Sequence, residues 1–311
     1  MCETCGCSDG AVATIVGAGG EHSHLMADGT VVRHRHAEAH AHDHPHDHDH
    51  PHDHDHPHDH DHAHDHDHAH DHDHPHPHPL RMGPGPKPVH IGTVTETLAI
   101  KVLDKNDRLA ARNRSYLKDH LILALNLMSS PGSGKTTLLE RTLVELGSKV
   151  AVLEGDQATS RDAERIAATG TKVVQINTGK GCHLEADMVW HGLESLGPEP
   201  GSVLFIENVG NLVCPALFDL GEAAKVVLFS VTEGEDKPQK YPHMFGAADL
   251  ILLTKTDLTP HLDFDLSLAR RNLAQVAPGV PIMEVSTKNG AGLADWYGWL
   301  RQRQQDPGGA K

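Results

Sequence analysis

A glycine-rich stretch between Ser129 and Thr137 has the residue types that bind nucleotide phosphates. It follows the apolar run Leu121–Met128 and precedes a helical pattern, which is the strand–loop–helix context of a P-loop. Glycines let backbone N–H groups turn toward phosphate oxygens, a lysine supplies an ammonium group, and a threonine hydroxyl can bind Mg²⁺. The predicted binding residues are Gly132, Ser133, Gly134, Lys135, Thr136 and Thr137, and Ser129 stands where the usual pattern has its first glycine.

Two carboxylates, Asp156 and Glu207, each follow an apolar run of strand length. An acidic residue at the end of a strand beside the P-loop is where nucleotide hydrolases orient Mg²⁺ or its waters, although a helix cap or a solvated charge is the simpler alternative. We predict that both carboxylates act with Lys135 and Thr136 by positioning and charge stabilisation, and that Gly210 offers an N–H to the γ-phosphate. No residue stands out as a general base.

The segment Thr254-Lys255-Thr256-Asp257 resembles the Asn-Lys-x-Asp motif with which GTPases read guanine. In that motif the aspartate accepts from the guanine ring N–H and amine, and the lysine stem packs on the base. Adenine presents a different edge, so the motif predicts GTP, although threonine replaces the usual asparagine. Ser286-Thr287-Lys288, after the next apolar run, resembles the second base-contacting loop.

Three cysteines, Cys2, Cys5 and Cys7, lie within six residues at the start of the chain. Thiolates at this spacing can close on one ion, and they favour Zn²⁺, Ni²⁺ or Cu⁺ over Mg²⁺. A second set, Cys182, His183 and Cys214, falls in loops at the predicted nucleotide end. Its spacing alone is weak support for a metal site, because free cysteine is often a small core residue.

A His/Asp-rich tract separates the cysteine motif from the rest of the chain. It holds 24 of the 30 histidines, between His22 and His78, and repeats His-Asp-His-Asp-His-Pro/Ala five times from His46 to Pro75. Such a segment has too little apolar surface to offset the entropy of ordering, so we predict disorder. Alternating imidazoles on a flexible chain suit loosely specific binding of several divalent ions.

The chain from about residue 91 alternates short apolar runs with helical stretches, which predicts a doubly wound, mostly parallel α/β sheet with helices on both faces. We divide the chain into a cysteine motif (1–20), a disordered tract with a Pro/Gly linker (21–90) and a P-loop GTPase domain (91–311). The predicted strands are Leu121–Met128, Lys149–Leu153, Lys172–Ile176, Ser202–Ile206, Lys225–Ser230, Leu250–Thr254 and Pro281–Val285. The predicted helices are Asp104–Lys118, Thr136–Leu146, Ser160–Thr169, Leu184–Leu196, Phe264–Val276 and Leu293–Gln302.

Charge and hydropathy exclude several classes of function. The formal net charge is −16, of which residues 1–90 carry −12 and the remainder −4, and neither part has the basic stripe that nucleic acid requires. The sequence has no apolar run of membrane-spanning length and no basic-then-apolar leader, so we predict a cytoplasmic protein without membrane partners. Its five cysteines are then expected to be reduced.

These motifs together resemble the HypB family, the nickel-inserting GTPases of [NiFe]-hydrogenase maturation. The resemblance covers the N-terminal Cys-Glu-Thr-Cys-Gly-Cys, the His tract of some members and the domain from about Val94 to Leu300. Its diagnostic segments begin at Met128, Glu154, Gly179, Glu207 and Thr232, and the last of them reads Thr-Glu-Gly-Glu-Asp-Lys-Pro.

The resemblance implies more than the residues do alone. It implies a homodimer formed when GTP is bound and tight nickel binding at Cys2, Cys5 and Cys7, whereas the expectation of slow, Mg²⁺-dependent GTP hydrolysis comes from the residues, among which none stands out as a general base. It implies weaker Ni²⁺ or Zn²⁺ binding at Cys182, His183 and Cys214, near the dimer interface. The implied partners are a small nickel-binding accessory protein of the HypA type and, through it, the hydrogenase large-subunit precursor.

Three alternatives remain open from the sequence. The first is a urease-type nickel accessory GTPase, against which the N-terminal cysteines and the Cys182/Cys214 pair argue. The second is a nickel storage or detoxification protein whose GTPase is incidental. The third is an ATP-dependent kinase or scaffold ATPase on the same fold.

Overall fold

The computed structural model of the protein describes residues 12–16, 21–25, 31–35, 92–147, 149–157 and 160–305, with side chains from residue 101 onward. The strands are β1 Val12–Val16, β2 Glu21–Leu25, β3 Val31–Arg35, β4 Leu123–Ser129, β5 Val150–Asp156, β6 Lys172–Asn177, β7 Val203–Glu207, β8 Ala224–Ser230, β9 Leu250–Thr254 and β10 Ile282–Glu284. The helices are α1 Gly92–Asp119, α2 Lys135–Leu146, α3 Arg161–Ala168, α4 Ala186–Leu196, α5 Lys237–Lys240, α6 Pro242–Gly246, α7 Leu266–Val276 and α8 Leu293–Gln305.

One ten-stranded sheet runs through the molecule in the order β10-β9-β8-β4-β7-β5-β6-β1-β2-β3. The seven strands from β10 to β6 are parallel to one another, as the continuous apolar runs predict. Each lies within three residues of its predicted bounds. Because β4 and β7 are central neighbours, the residues that follow them meet at one edge of the sheet.

Strands β1, β2 and β3 extend this sheet in antiparallel fashion beyond β6. The sequence predicts no strands there, although β1 is rich in β-branched residues, which favour extended structure. Strands β2 and β3 fall within residues 21–90, which we predict to be a disordered tract. Cys2, Cys5, Cys7 and the remaining tract and linker lie outside the described residues.

Helix α1 begins twelve residues before the predicted Asp104 and packs against α4. Two buried asparagines fix it to the loops beneath. The Asn113 amide donates to the carbonyls of Ala186 and Leu220 at 2.7 and 3.0 Å, and the Asn106 amide donates to the Asp219 carbonyl at 2.7 Å. The bond from Asn113 to Ala186 fixes the start of α4 against α1, and it thereby helps to position the loop that precedes α4.

Apolar side chains cover both faces of the sheet. Helices α2, α3 and α8 cover one face, α1 and α4 cover the other, and α6 and α7 close the side of β8 and β9. Buried Trp296 of α8 donates from Nε1 to the Thr142 hydroxyl of α2 at 2.9 Å, which joins the last helix to the helix after the P-loop. In the described part of the chain, no helix combines the length and the apolar character that crossing a bilayer requires.

Candidate functional site

The predicted phosphate loop joins β4 to α2, in the strand–loop–helix context that its pattern requires. Gly132 and Gly134 have φ values of 74° and 97°, a left-handed region that a side chain would strain. Gly134 is the residue directly before α2, so its conformation turns the chain into the helix. The loop therefore has the backbone shape that aims N–H groups at an anion.

The ammonium group of Lys135 is buried in this loop. Its Nζ donates to the hydroxyl of Ser129 at 2.9 Å, and Ser129 stands at the position of the motif's first glycine. Burial lowers the pKa of Lys135, and the nearby carboxylate of Glu207 opposes that shift. A partly desolvated ammonium group interacts more strongly with a phosphate than an exposed one, because the local dielectric constant is lower.

The carboxylate of Glu207 lies beside the P-loop threonine. Thr136 Oγ1 donates to Glu207 Oε1 at 2.8 Å, and among the described residues the buried Oε2 has no hydrogen-bond partner. Burial raises the pKa of Glu207 to about 7, against the lowering effects of Lys135 and Thr136. A hydroxyl next to a carboxylate with a free oxygen matches the oxygen ligands that Mg²⁺ prefers, so this pair fits the metal.

A cavity of about 490 Å³ joins the predicted nucleotide residues. The loops after β4, β5 and β7 form its walls, and Lys255 reaches it from the end of β9. A Cβ at Gly210 would lie 3.0 Å from the Cα of Pro131, so a side chain there would press on the P-loop, and glycine lets the loop after β7 approach without that contact. The predicted residues that line the cavity are Gly132, Gly134, Lys135, Thr136, Thr137, Asp156, Glu207, Gly210 and Lys255.

Glu154 also lines this cavity, although we predict no role for it from the sequence. It lies opposite Glu207 in the β5–β7 register, so the two carboxyl groups share one face of the sheet. Burial, and then the charges of Glu207 and Asp156, raise the pKa of Glu154 to about 9. A glutamate inside an otherwise apolar strand was the signal in the sequence that could have revealed it.

Glu233, in the loop after β8, is a second contact that the sequence did not reveal. Its carboxylate accepts from the hydroxyls of Ser130 and Ser133 at 2.5 and 2.8 Å, and Lys237 lies 3.8 Å from it. The segment Thr232–Pro238 is thus tied to the P-loop from the side of β8. From the sequence alone, Lys237 is expected to be a solvated charge in a loop. In the structure it takes part in this network through Glu233.

The residues predicted to read the base divide into two groups. Lys255 donates from Nζ to the Gly132 carbonyl at 2.6 Å, and Thr254 donates from Oγ1 to the Ser133 carbonyl at 2.8 Å. The threonine that replaces the motif's asparagine therefore supports the P-loop. Asp257 accepts from the Ser286 hydroxyl at 2.6 Å, which brings the two predicted base loops together.

This Asp257–Ser286 pair and the following Thr287 and Lys288 are not among the residues that line the cavity. Thr287 is partly buried and Lys288 is exposed, and the Lys288 N–H points to the Ser286 hydroxyl at 3.3 Å. The two predicted base loops thus contact each other outside the cavity, and Lys255 is the predicted base-reading residue that lines it.

The second set of predicted metal ligands forms a compact cluster. Cys182 Sγ lies 3.1 Å from Cys214 Sγ and 3.7 Å from His183 Nδ1, and one ligand atom from each of the three residues falls within 4.8 Å of the others. Both cysteines are free thiols, and both are partly exposed. Two sulfurs and one nitrogen at this spacing can hold a soft or borderline ion with one coordination position left open.

The imidazole of His183 is buried against the ring of Phe218, with 3.9 Å between the ring centroids. Burial lowers the pKa of His183 to about 4, so the ring is neutral at neutral pH and keeps a lone pair for a metal. Its Nε2 lies 3.9 Å from a Glu185 oxygen, beyond hydrogen-bond distance. A carboxylate near the far ring nitrogen is a common way to orient a ligating histidine.

Comparisons with known proteins agree with this geometry. The family described as CobW/HypB/UreG, nucleotide-binding domain, matches residues 123–284. The hydrogenase maturation factor HypB of Rhizobium leguminosarum bv. viciae is 56% identical over 218 residues, which are 68% of this chain and 73% of that protein. HypB of Azotobacter vinelandii is 53% identical over 231 residues, 72% of this chain and 76% of that protein.

Among solved structures, HypB from Helicobacter pylori in complex with nickel is 40% identical to this chain. The match has a TM-score of 0.61 and covers 65% of this chain and 96% of that one. The chain therefore belongs to the HypB family of hydrogenase maturation factors.

Proposed function

We propose that this chain is a GTP-hydrolysing nickel metallochaperone that stores nickel and delivers it during [NiFe]-hydrogenase maturation. One observation carries the proposal: the same end of the sheet holds a phosphate-binding cavity and a thiolate–imidazole cluster. The names of its relatives, and the nickel complex of the H. pylori protein, support this combination.

The P-loop binds the phosphates of GTP, and Lys135 places its charge at the β- and γ-phosphates. Thr136, Asp156 and Glu207 would hold Mg²⁺ or its waters, and the ion supplies neutralisation of the charge that develops on the phosphates. Hydrolysis is slow, since among the described residues none stands out as a general base. Asp257 reads guanine, with Ser286, Thr287 and Lys288 shaping the base site.

Nickel is the cargo. Cys182, His183 and Cys214 bind Ni²⁺ or Zn²⁺ in a site whose affinity depends on the bound nucleotide, and hydrolysis resets that affinity. Cys2, Cys5 and Cys7 form a tighter nickel site, and the His/Asp tract serves as a store. Free thiols at both sites require a reducing compartment, so we place the protein in the cytoplasm.

GTP draws two protomers together, and nickel then passes to a nickel-binding accessory protein of the HypA type and on to the hydrogenase large-subunit precursor. The cluster suits this transfer because both of its cysteines are partly exposed. A partner thiolate can then enter the open coordination position before the first ligands leave.

Complementation of a strain that lacks its own copy of this protein tests the proposal. With nickel plentiful, we expect Lys135→Ala and Cys182→Ser to abolish hydrogenase activity, and removal of His22–His78 to leave most of it. The opposite pattern, with an active Lys135→Ala strain and an inactive tract deletion, would make the protein a nickel store with an incidental GTPase.

The same strains test the urease alternative. If the chain restores urease and leaves hydrogenase inactive, it is a urease-type accessory GTPase. Purified protein tests the ATPase alternative, since our proposal requires hydrolysis of GTP and little hydrolysis of ATP.

A further inference from the structure

Three amide side chains connect the nucleotide cavity to the metal cluster. They contact residues 181–184, which we call the metal loop because it carries Cys182 and His183. Each amide directly follows a residue of the cavity wall: Gln157 follows Asp156, Asn208 follows Glu207, and Asn211 follows Gly210. At three places, therefore, one amide side chain spans the distance between the loops of the nucleotide cavity and the metal loop.

Gln157 makes the first connection, from the loop after β5. Its Nε2 donates to the Gly181 carbonyl at 3.1 Å, and its backbone N–H donates to Asp156 Oδ1 at 2.7 Å. One residue therefore contacts both the cavity carboxylate and the peptide that precedes Cys182. A movement of Asp156 toward or away from a bound ion is carried to the metal loop by this amide.

Asn211 and Asn208 make the other two connections, from the loop after β7. Asn211 donates from Nδ2 to the Cys182 carbonyl at 3.2 Å, while its Oδ1 accepts from the N–H of Val213, the residue before Cys214. It therefore spans the two cysteine loops. Asn208 Oδ1 accepts from the Leu184 N–H at 3.1 Å, directly after His183.

The spacing of the two cysteines is sensitive to such movements. With metal–sulfur bonds of about 2.3 Å, two thiolates on one ion lie about 3.8 Å apart at a tetrahedral angle and about 3.3 Å apart at a right angle. The sulfurs of Cys182 and Cys214 are 3.1 Å apart. A relative shift of the two loops by about half an ångström is therefore enough to change the coordination geometry that the site offers.

We propose that Gln157, Asn208 and Asn211 are the positioning residues that couple the nucleotide state to metal affinity, by carrying loop movements at Asp156, Glu207 and Gly210 to the metal loop. The inference rests on the proposed function and assigns its regulation to these side chains. Gln157 and Asn208 also line the nucleotide cavity, whereas Asn211 is not among its lining residues, and all three act on the metal loop through the backbone they hold.

Two substitutions remove the connecting donors with little change of shape. Gln157→Leu removes the amide and adds no charge, and Asn211→Asp removes the Nδ2 donor while keeping the oxygen that accepts from Val213. Asn208 is buried and also donates to Asn126, so we leave it intact. Asn177→Ala is the matched control, because the Asn177 side chain accepts from the Gly179 N–H before the metal loop and, within the described parts of the loops after β5 and β7, bonds to no residue.

The measurement is the coupling factor in the full chain. The affinities for GDP and for a non-hydrolysable GTP analogue are determined by calorimetry in Mg²⁺, with and without saturating Ni²⁺. The coupling factor is the change in their ratio that nickel causes, and linkage makes it equal to the effect of nucleotide on nickel affinity. The Cys182→Ser/Cys214→Ser chain measures any contribution from nickel bound elsewhere.

We expect a wild-type coupling factor in the range of about 5- to 150-fold. Gln157→Leu and Asn211→Asp should each reduce it severalfold, and the double variant should bring it close to one. The thiolate-to-nickel absorption of the cluster should persist in both variants. Because Gln157 lines the cavity, its role is judged by the coupling factor, which is a ratio of nucleotide affinities, and not by nucleotide affinity itself. Asn177→Ala should keep the wild-type factor.

Two outcomes overturn the inference, and they differ from each other. If the wild type shows coupling and both variants keep it in full, these amides do not transmit it, and the proposed function stands. If the wild type itself shows no coupling, nucleotide-gated metal binding fails together with its proposed regulation.

Discussion

The carboxylate of Asp257 accepts from the hydroxyl of Ser286, in the second predicted base loop, with 2.6 Å between Asp257 Oδ1 and Ser286 Oγ. We predict that Asp257→Asn weakens GTP binding by roughly 10- to 100-fold, because a hydrogen bond to a charged group contributes about 1.5–3 kcal/mol. ATP binding should scarcely change. Calorimetry with both nucleotides measures this, and Asp263→Asn, an exposed carboxylate nearby, is the control. Equal losses for GTP and ATP would indicate a structural role instead.

Glu154 gives the free energy of unfolding a definite pH dependence in the absence of nucleotide and divalent ions. Its pKa is about 9 in the folded chain and about 4.5 in the unfolded chain, so the folded state binds more protons between these values. Stability should therefore fall as pH rises through this window, with a slope of at most about 1.4 kcal/mol per pH unit.

Urea unfolding at a series of pH values measures this slope. Above pH 7, where Glu207 is already ionised, Glu154→Gln should flatten the slope and stabilise the protein, whereas Glu199→Gln, at an exposed position, should leave the slope unchanged. If the slope survives in Glu154→Gln, another group causes it.

The sequence predicted the P-loop residues because their chemistry depends on neighbours along the chain. The sequence did not predict the roles of Glu154 and Glu233, because those roles depend on partners that are distant along the chain. Glu154 faces Glu207 only through strand register, and Glu233 reaches Ser133 across 100 residues of sequence. The cluster of Cys182, His183 and Cys214 was predicted only in part. Its residue types indicated a metal, but only the fold brings Cys182 and Cys214 within 3.1 Å of each other.

At the scale of elements, the buried amide of Asn113 attaches α1 to the start of α4 and to the loop before β8, because it donates to the carbonyls of Ala186 and Leu220. We predict that Asn113→Ala lowers the free energy of unfolding by about 2–4 kcal/mol, since it removes two buried hydrogen bonds and opens a cavity. Urea unfolding followed by circular dichroism measures the loss. Ser115→Ala, on the exposed side of α1, should cost almost nothing. A loss below 1 kcal/mol would mean that α1 docks independently of these bonds.

The seven parallel strands were predictable because strands covered on both faces read as continuous apolar runs. Helix α1 was predicted twelve residues too short, since the stretch before Asp104 contains β-branched residues that weaken the helical signal. Helices α5 and α6 have four and five residues, fewer than two turns, so no periodicity reveals them.

At the scale of the whole molecule, two exposed apolar side chains lie beside the Cys182–His183–Cys214 cluster. Val213 and Leu217, on either side of Cys214, are 54% and 53% exposed. We predict that light scattering gives about the chain's 33.7 kDa with GDP and about twice that mass with a GTP analogue. Leu217→Lys should weaken the dimer because it places a charge on a surface that association would bury.

Val144→Lys is the matched control for this prediction. Val144 is 74% exposed on α2, away from the metal cluster, so the substitution should leave the dimer intact. If Leu217→Lys and Val144→Lys dimerise like the wild type, the contact lies on another face of the molecule.

The position of β7 has a consequence for biosynthesis. In the finished sheet β7 lies between β4 and β5, yet the ribosome makes it after both of them and after β6. At about 5–20 residues per second, the 51 residues from Asp156, where β5 ends, to Glu207 take roughly 3–10 s to emerge. For those seconds the nascent chain carries β4 and β5 with facing, unpaired edges, the kind of surface on which chaperones act and strands from other chains pair wrongly. Translation speed across this interval should therefore influence how much of the chain reaches its native form.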